Sequence, residues 1–135
     1  MRTDLKGRSI LVVEDESMIA LDIAGAFEEV GATVWLAGTI AEAMPLVERD
    51  DLSAAILDFG LGDGNADVLC GRLTDRVIPY MLHSGYSQHG LACRAGVVIP
   101  KPANPSVLIS ALCELLAINP RERPPADGLE SIAGN

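Results

Sequence analysis

The sequence is poor in aromatic residues, in paired cysteines and in long apolar runs, and each shortage excludes something. Aromatic residues make up only 4% of the 135 positions, so the core must be aliphatic. None of the three cysteines lies at the spacing of a zinc site, and reduced, buried thiols are the simplest interpretation of Cys70, Cys93 and Cys113. The apolar runs are too short for a signal peptide or a membrane span, so we expect no membrane contact.

Basic residues are scarce as well. Ten Lys and Arg stand against nineteen Asp and Glu, which gives a net charge of -9. An acidic protein repels phosphate backbones, so nucleic acid is not expected as a direct partner. The remaining composition is ordinary, and 49% hydrophobic residues in a chain of this length can bury one sizeable core.

Five short apolar runs recur at regular intervals and predict the strands of a parallel sheet. Most are continuously apolar, as expected for strands that helices cover on both faces. The runs occupy residues 10–13, 33–37, 54–57, 78–82 and 97–99. With helical patterns between them, the chain predicts an α/β fold, an open five-stranded parallel sheet with right-handed crossovers. We expect one domain over residues 1–118 and a disordered tail over 119–135, where Pro and charged residues accumulate.

The ends of the helices carry recognisable signals. Ser17 is the candidate N-cap of the first helix, and Gly31 is its candidate stop. Thr39 and Glu42 form a capping box ahead of the second helix. The pair 104–105, Asn followed by Pro, predicts the start of the last helix. The stretch over 87–95 is the weakest helical pattern, because Gly90 interrupts it.

Polar residues follow the apolar runs where the strands end. Ligands of open parallel sheets bind beyond the carboxyl ends of the strands. These positions hold Glu14, Asp15, Asp58, Ser84 and Lys101. Crowded carboxylates stay ionised when a cation lies among them, and an all-oxygen site suits Mg²⁺. With a lysine and a hydroxyl nearby, the set suits phosphoryl chemistry, in which a carboxylate is the nucleophile.

Each of these residues alone has an ordinary interpretation. An Asp after a strand is usually a turn or cap residue, and a lone Lys is usually a solvated surface charge. An aspartate-nucleophile phosphatase would need a second carboxylate two residues after Asp58, where this chain has Gly60. The joint placement at successive strand ends therefore favours a phosphoacceptor over a hydrolase.

The order acidic pair, Asp, Ser, Lys resembles the receiver domain of two-component response regulators. The resemblance rests on residues 10–16, on 56–64 around Asp58, and on Lys101 with Pro102. It implies a flavodoxin-like fold with strand order 2-1-3-4-5. It also implies that Asp58 takes a phosphoryl group from a phosphohistidine.

The resemblance assigns a role to each site residue. Mg²⁺ would be held by Asp15, Asp58 and the main-chain carbonyl of Gly60, with Glu14 at the metal or on a metal-bound water. Lys101 would pair with Asp58 and then with the phosphoryl oxygens, and Ser84 would hydrogen-bond the phosphoryl group after transfer.

One part of the family pattern is missing. The family usually has an aromatic residue three positions before Lys101, where this chain has Val98. The segment ending Ser84-Gly85-Tyr86 instead resembles an α-proteobacterial subgroup of receivers with the sequence Phe-Ala-Thr-Gly-x-Tyr. Ser84, Gly85 and Tyr86 are therefore the expected switch residues.

The implied function is that of a stand-alone cytoplasmic signalling protein rather than an enzyme. Its expected partners are a sensor histidine kinase or histidine phosphotransfer protein and an unknown downstream protein, and we expect a monomer or a weak homodimer. The alternative is a degenerate receiver that serves as a phosphorylation-independent scaffold.

Overall fold

The computed structural model describes residues 4–58, 60–61, 64–84, 93, 95–101 and 103–118. Strands and helices alternate along most of these ranges, as the apolar periodicity predicts. In chain order they are β1 (Ser9–Val13), α1 (Ser17–Glu29), β2 (Thr33–Ala37), α2 (Ile40–Val47), β3 (Ala54–Leu57), β4 (Gly60–Leu61), β5 (Gly64–Asn65), α3 (Asp67–Asp75), β6 (Tyr80–Ser84), β7 (Val97–Pro100) and α4 (Pro105–Ile118).

Five of the strands form one sheet in the order β2-β1-β3-β6-β7, and every pairing in it is parallel. Counted among these five strands, the order is 2-1-3-4-5, so the predicted α/β fold and strand order are confirmed. The strand order reverses between β1 and β3, because β2 lies on one side of β1 and β3 on the other. The carboxyl ends of these neighbouring parallel strands open onto the same edge.

The core lies on both faces of the sheet, which explains the uninterrupted apolar runs. Alternate strand residues such as Leu11 and Leu57 face α2 and α3, whereas Val12 and Ile56 face α1 and α4. Among the described residues of the layer that contains Val12 and Ile56, Phe27 is the one buried aromatic ring, at 0% exposure; the other buried side chains there are aliphatic, with Met81 the exception. An aliphatic core is what the low aromatic content predicts.

The two ends of α1 differ from each other in how well the sequence predicts them. Ser17 is not the N-cap, as we expected, but the first helical residue; Glu16 caps the helix and makes no side-chain capping bond. The stop at Gly31 is confirmed, because its φ of +100° and its N–H bond to the carbonyl of Glu28 end the helix. A Cβ at Gly31 would lie 2.9 Å from the Cα of Lys6, so glycine is required there.

The other two predicted caps are present. The Oγ1 of Thr39 accepts from the N–H of Glu42 at 3.1 Å, although the Glu42 carboxylate reaches Gly38 rather than Thr39. The Oδ1 of Asn104 accepts from the N–H of Val107 at 3.2 Å at the start of α4. Local hydrogen bonds thus fix where α2 and α4 begin.

Two features of the chain between Asp58 and Ser84 depart from the expected pattern. The antiparallel hairpin of β4 and β5 stands where we expected only a loop. The strand expected over 78–82 runs instead from Tyr80 to Ser84. Ile78 donates its N–H to the carbonyl of Leu73 at the end of α3, and Pro79 has no N–H, so strand pairing begins later.

Some expectations fall outside the described residues. They include the tail over 119–135 and all but residues 93 and 95 of the helix expected over 87–95. Within the residues that the structure places, no helix combines the length and apolar composition that a membrane crossing requires.

Candidate functional site

Two buried carboxylates stand at the carboxyl ends of neighbouring strands. Asp58 follows β3, and its N–H donates to the carbonyl of Val13 at 2.9 Å, which ties it to the end of β1. Glu14 follows β1, and its N–H donates to the carbonyl of Ala37 at 2.9 Å. The two residues are 4% (Glu14) and 6% (Asp58) exposed. The register of the sheet therefore holds both carboxylates at one edge.

Lys101 brings a cation to this edge from the end of β7. Its N–H donates to the carbonyl of Ser84 at 3.0 Å, which fixes the backbone. Its Nζ donates to Oδ2 of Asp58 at 3.1 Å and lies 3.4 Å from Oε1 of Glu14. The ammonium offsets the repulsion between two carboxylates that burial would otherwise make costly.

Asp15 completes an acidic cluster of Glu14, Asp15 and Asp58. One carboxylate oxygen of each residue lies within 4.8 Å of the others, and Asp15 is exposed to solvent. Hard divalent cations such as Mg²⁺ prefer oxygen ligands of this kind, so the donor set fits such an ion. Both Glu14 oxygens already have partners, because Oε2 accepts from the N–H of Glu16 at 3.2 Å and Oε1 faces Lys101.

The surroundings shift the proton affinities of two cluster groups. Burial raises the pKa of the Glu14 carboxyl, and the charge of Asp58 adds to this effect, while the Glu16 N–H and Lys101 oppose it. Burial alone would lower the pKa of Lys101, but its hydrogen bond to Asp58 and the two carboxylate charges raise it overall. Lys101 is therefore an ammonium at neutral pH.

Ser84 and Gly60 are the remaining predicted site residues that the structure describes. Ser84 is the last residue of β6, only 1% exposed, and pairs in register with Pro100. Gly60 opens β4 two residues after Asp58, and it pairs with Asn65 across the hairpin. Glu14, Asp15, Asp58 and Lys101 are brought together as their strand-end positions predict, and Ser84 is joined to them through the Lys101 backbone.

Known proteins of similar sequence and of similar structure can be compared with this chain. No family model matches the sequence. The chain is 32% identical to the alginate biosynthesis transcriptional regulatory protein AlgB of Pseudomonas syringae pv. tomato, over 96% of this chain and 32% of that protein. The chain thus spans about a third of the length of the curated relatives that it matches.

Solved structures cover the described fold more completely. A CheY-like response regulator receiver domain from Methanospirillum hungatei JF-1 superimposes with a TM-score of 0.77 at 25% identity, over 86% of this chain and 98% of that one. The chain contains a response-regulator receiver domain. A response regulator protein from Burkholderia pseudomallei, solved with a phosphorylated aspartic acid, calcium ion and citrate, is also similar (TM-score 0.67, 25% identity, 87% and 75% covered).

The expected switch of this receiver domain is described only at its first residue. Ser84 is placed at the end of β6, whereas Gly85 and Tyr86 lie outside the described residues. Val98, which stands where the family has an aromatic residue, is 44% exposed on β7.

The receiver domain also has a buried histidine that is not among the site residues predicted from the sequence. His83 is 4% exposed, and neither ring nitrogen has a hydrogen-bond partner among the described residues. It lines a cleft of about 160 Å³ between α1 and the start of α4, beside Lys101. Burial, together with the charge of Lys101, lowers the pKa of His83, although Asp58 opposes this. The sequence signal that could have indicated a buried His83 is its position before Ser84 in an apolar run.

The cysteines correct one expectation. Cys70 and Cys93 are buried, as predicted, but they are joined in a disulfide rather than reduced. Cys113 on α4 is outside this disulfide and is half-buried rather than buried as expected. The pairing joins residues 23 positions apart, a contact that only the fold creates.

Proposed function

We propose that Asp58 accepts a phosphoryl group from a phosphohistidine on a sensor histidine kinase or a histidine phosphotransfer protein. An Asp58 oxygen attacks the phosphorus, the P–N bond breaks with its electron pair moving to the imidazole, and Asp58 becomes an acyl phosphate. The observation that carries this proposal is the 3.1 Å contact between the Lys101 ammonium and the buried Asp58 carboxylate, beside two further carboxylates.

The chain's own groups supply positioning and charge. A backbone hydrogen bond to Val13 of β1 holds Asp58 at the sheet edge and Lys101 holds its carboxylate, so the carboxylate needs little reorganisation before attack. The Nζ of Lys101 lies 3.1 Å from Oδ2 of Asp58. From this position it would also reach an incoming phosphoryl group and offset its negative charge. The Ser84 hydroxyl would hydrogen-bond a phosphoryl oxygen after transfer.

The acidic cluster fits Mg²⁺ as the resident ion. Glu14, Asp15 and Asp58 would hold it together with the Gly60 carbonyl, and the similar Burkholderia protein carries a calcium ion and a phosphorylated aspartate. When bound, the ion supplies positive charge that offsets the phosphoryl oxygens. Because Lys101 and Glu16 occupy the Glu14 oxygens, Glu14 is better placed to hold a metal-bound water than to bind directly.

The output is a protein contact or onward phosphotransfer within a two-component phosphorelay, and not catalysis on a separate substrate. Because a phosphohistidine donor is charged from ATP, we place the domain in the cytoplasm. The relatives are transcriptional regulators about three times as long, so their activity is not carried over to this chain.

Intact-mass analysis tests the proposal. The protein is incubated with Mg²⁺ and phosphoramidate, a small donor that has the P–N bond of phosphohistidine. The wild type should gain one phosphate, Asp58→Asn should gain none, and omission of Mg²⁺ should slow the reaction. Asp50→Asn is the matched control, because Asp50 is an exposed aspartate whose nearest described cation, Arg76, is 3.5 Å away.

The scaffold alternative predicts a different result. A wild type that gains no phosphate from phosphoramidate or from phosphohistidine proteins would favour the degenerate receiver. Phosphate on Asp58→Asn at the wild-type yield would place the acceptor elsewhere.

A further inference from the structure

The disulfide joins two parts of the receiver domain that β6 separates in sequence. Cys70 is in α3, which follows the hairpin after Asp58, and Cys93 is in the chain between β6 and β7. That chain connects Ser84 to β7 and Lys101. The bond therefore links the element after the phosphoacceptor to the segment between the other two site residues.

Further contacts fasten the end of that segment in place. The N–H of Gly96 donates to the carbonyl of Cys93 at 3.1 Å. A Cβ at Gly96 would collide with the ring of Tyr80 in β6, so the turn packs tightly on this ring. The Tyr80 hydroxyl hydrogen-bonds to the side chain of Thr74 in α3 and to the backbone of Ala95.

The domain does not need the disulfide as a staple. Apolar clusters cover both faces of the sheet, and a domain of this size buries enough surface to fold without cross-links. Disulfides that stabilise a fold occur mainly in small secreted domains, whereas those of intracellular proteins are mostly transient or redox-sensing.

A reduced Cys93 would also have a partner. Its Sγ lies 3.6 Å from Oδ1 of Asp67, within the range of a thiol hydrogen bond to a carboxylate. Cys70 and Cys93 are 0% and 2% exposed, so both are shielded from solvent in this structure. A reduced Cys93 would therefore have a hydrogen-bond acceptor at hand once the two sulfurs separate.

We infer that Cys70 and Cys93 form a reversible redox modification site that opposes phosphorylation of Asp58. The inference rests on the proposed function. The oxidant is a low-molecular-weight disulfide such as oxidised glutathione. One protein thiolate attacks it and releases one small thiol, then the second protein thiolate displaces the other. Two protein thiols are oxidised and one small disulfide is reduced to two thiols.

The direction of the effect follows from linkage. The disulfide stabilises the arrangement of α3 and Cys93 that the unphosphorylated structure has. We expect Ser84 to shift towards a phosphoryl group on Asp58, and Cys93 lies in the connection between Ser84 and β7, so the cross-link and the phosphoryl group should favour different arrangements. Coupling between two sites is reciprocal, so phosphorylation should also make the disulfide easier to reduce.

The first arm of the test measures the redox reaction itself. The folded protein is equilibrated at several ratios of reduced to oxidised glutathione, quenched with acid, then unfolded in urea, alkylated with iodoacetamide and weighed. The three cysteines should take three alkyl groups in the reduced form and one in the oxidised form. Beryllium fluoride with Mg²⁺, a phosphoryl mimic, should shift the midpoint towards reduction. A cysteine pair that stays fully reduced, or fully oxidised, at every ratio overturns the inference.

The second arm measures the rate at which phosphoramidate labels Asp58. The reduced wild type should be labelled at least about fivefold faster than the oxidised form, the lower end of usual coupling. Cys70→Ser should be fast under both conditions, and Cys113→Ser, the control, should keep the difference. Because the reduced wild type needs no substitution, a misfolded Cys70→Ser would not affect the comparison.

The outcomes separate the two proposals. Equal labelling of the reduced and oxidised wild type overturns the coupling while leaving the proposed function intact. No labelling of either form overturns the proposed function and the coupling together, and the alkylation arm still decides whether the cysteine pair is reversible.

Discussion

Lys101 shows how single residues balance the receiver site. Its ammonium lies 3.1 Å from Asp58 and 3.4 Å from Glu14, so it offsets the charge that burial makes expensive. The same residue faces the place where a phosphoryl group would form on Asp58. A cation that stabilises the resting carboxylates is thus already positioned for the phosphorylated state, which has a greater negative charge.

His83 is costly where it stands, because it is a buried polar side chain whose ring nitrogens have no hydrogen-bond partner among the described residues. Its pKa is lowered chiefly by burial, so below the ordinary value of 6.5 the unfolded chain binds a proton that the folded chain resists. His83 therefore makes no pH-dependent contribution to stability well above pH 6.5, and it lowers the free energy of unfolding as the pH falls below about 6.5.

We expect His83→Leu to raise the free energy of unfolding by about 1 kcal/mol or more at pH 7.5, since it removes unpaired polar atoms at similar volume. The free energy of unfolding should also decrease less between pH 7.5 and 5.5 in His83→Leu than in the wild type, because the titration of His83 no longer contributes to the decrease. Urea unfolding of both proteins at the two pH values measures this, and titration of other groups cancels in the difference. Parallel pH profiles for the two proteins would contradict the prediction.

Residue positions after strands could be predicted from the sequence, but pairings across the fold could not. Glu14, Asp58 and Lys101 each end an apolar run, and parallel strands bring such ends to one edge. Nothing local distinguishes Cys70 and Cys93 from two buried hydrophobic residues, because their contact arises only when α3 packs beside the chain before β7. The unpaired state of the His83 ring depends likewise on what surrounds it.

At the scale of elements, one glycine within α1 and one just after it have opposite requirements. Gly31 has a φ of +100° and sits against the backbone of Lys6. Gly25 lies within the helix, is exposed, and has open space where a Cβ would point. The helix stop therefore depends on glycine at one position only, and the other glycine weakens the helix.

We expect Gly31→Ala to lower the free energy of unfolding by about 1–3 kcal/mol, because a side chain is strained at this φ and would crowd Lys6. Gly25→Ala, the matched control on the same helix, should raise it by up to about 1 kcal/mol. Urea unfolding followed by circular dichroism of the helices and by tryptophan fluorescence measures both free-energy changes. If the two substitutions change stability by the same amount, the stop signal is not what fixes the end of α1.

Element boundaries were predictable where local chemistry fixes them. Thr39 and Asn104 accept hydrogen bonds from their own helices, so the caps of α2 and α4 are visible in the sequence. The start of β6 was not, because Ile78 is apolar like a strand residue but gives its N–H to the end of α3. The β4–β5 hairpin could not be predicted from apolar alternation, because each of its strands is only two residues long.

At the scale of the whole molecule, the net negative charge and the acidic cluster affect stability in two different ways. A net charge of -9 opposes compaction, and any salt reduces this repulsion by screening. The cluster of Glu14, Asp15 and Asp58 concentrates negative charge at one edge, where a divalent ion can bind the folded chain alone. Only the second effect is specific for the cation.

We therefore expect Mg²⁺ to stabilise the folded protein beyond KCl of the same ionic strength. At a free concentration ten times its Kd, one ion should add about 1.4 kcal/mol to the free energy of unfolding, because it binds the native state only. Asp58→Asn should lose most of this increment, and Asp50→Asn should keep it. Thermal unfolding in the two salts, with the increment compared for each variant, separates binding from screening. An increment that survives in Asp58→Asn would place the bound ion away from the phosphoacceptor.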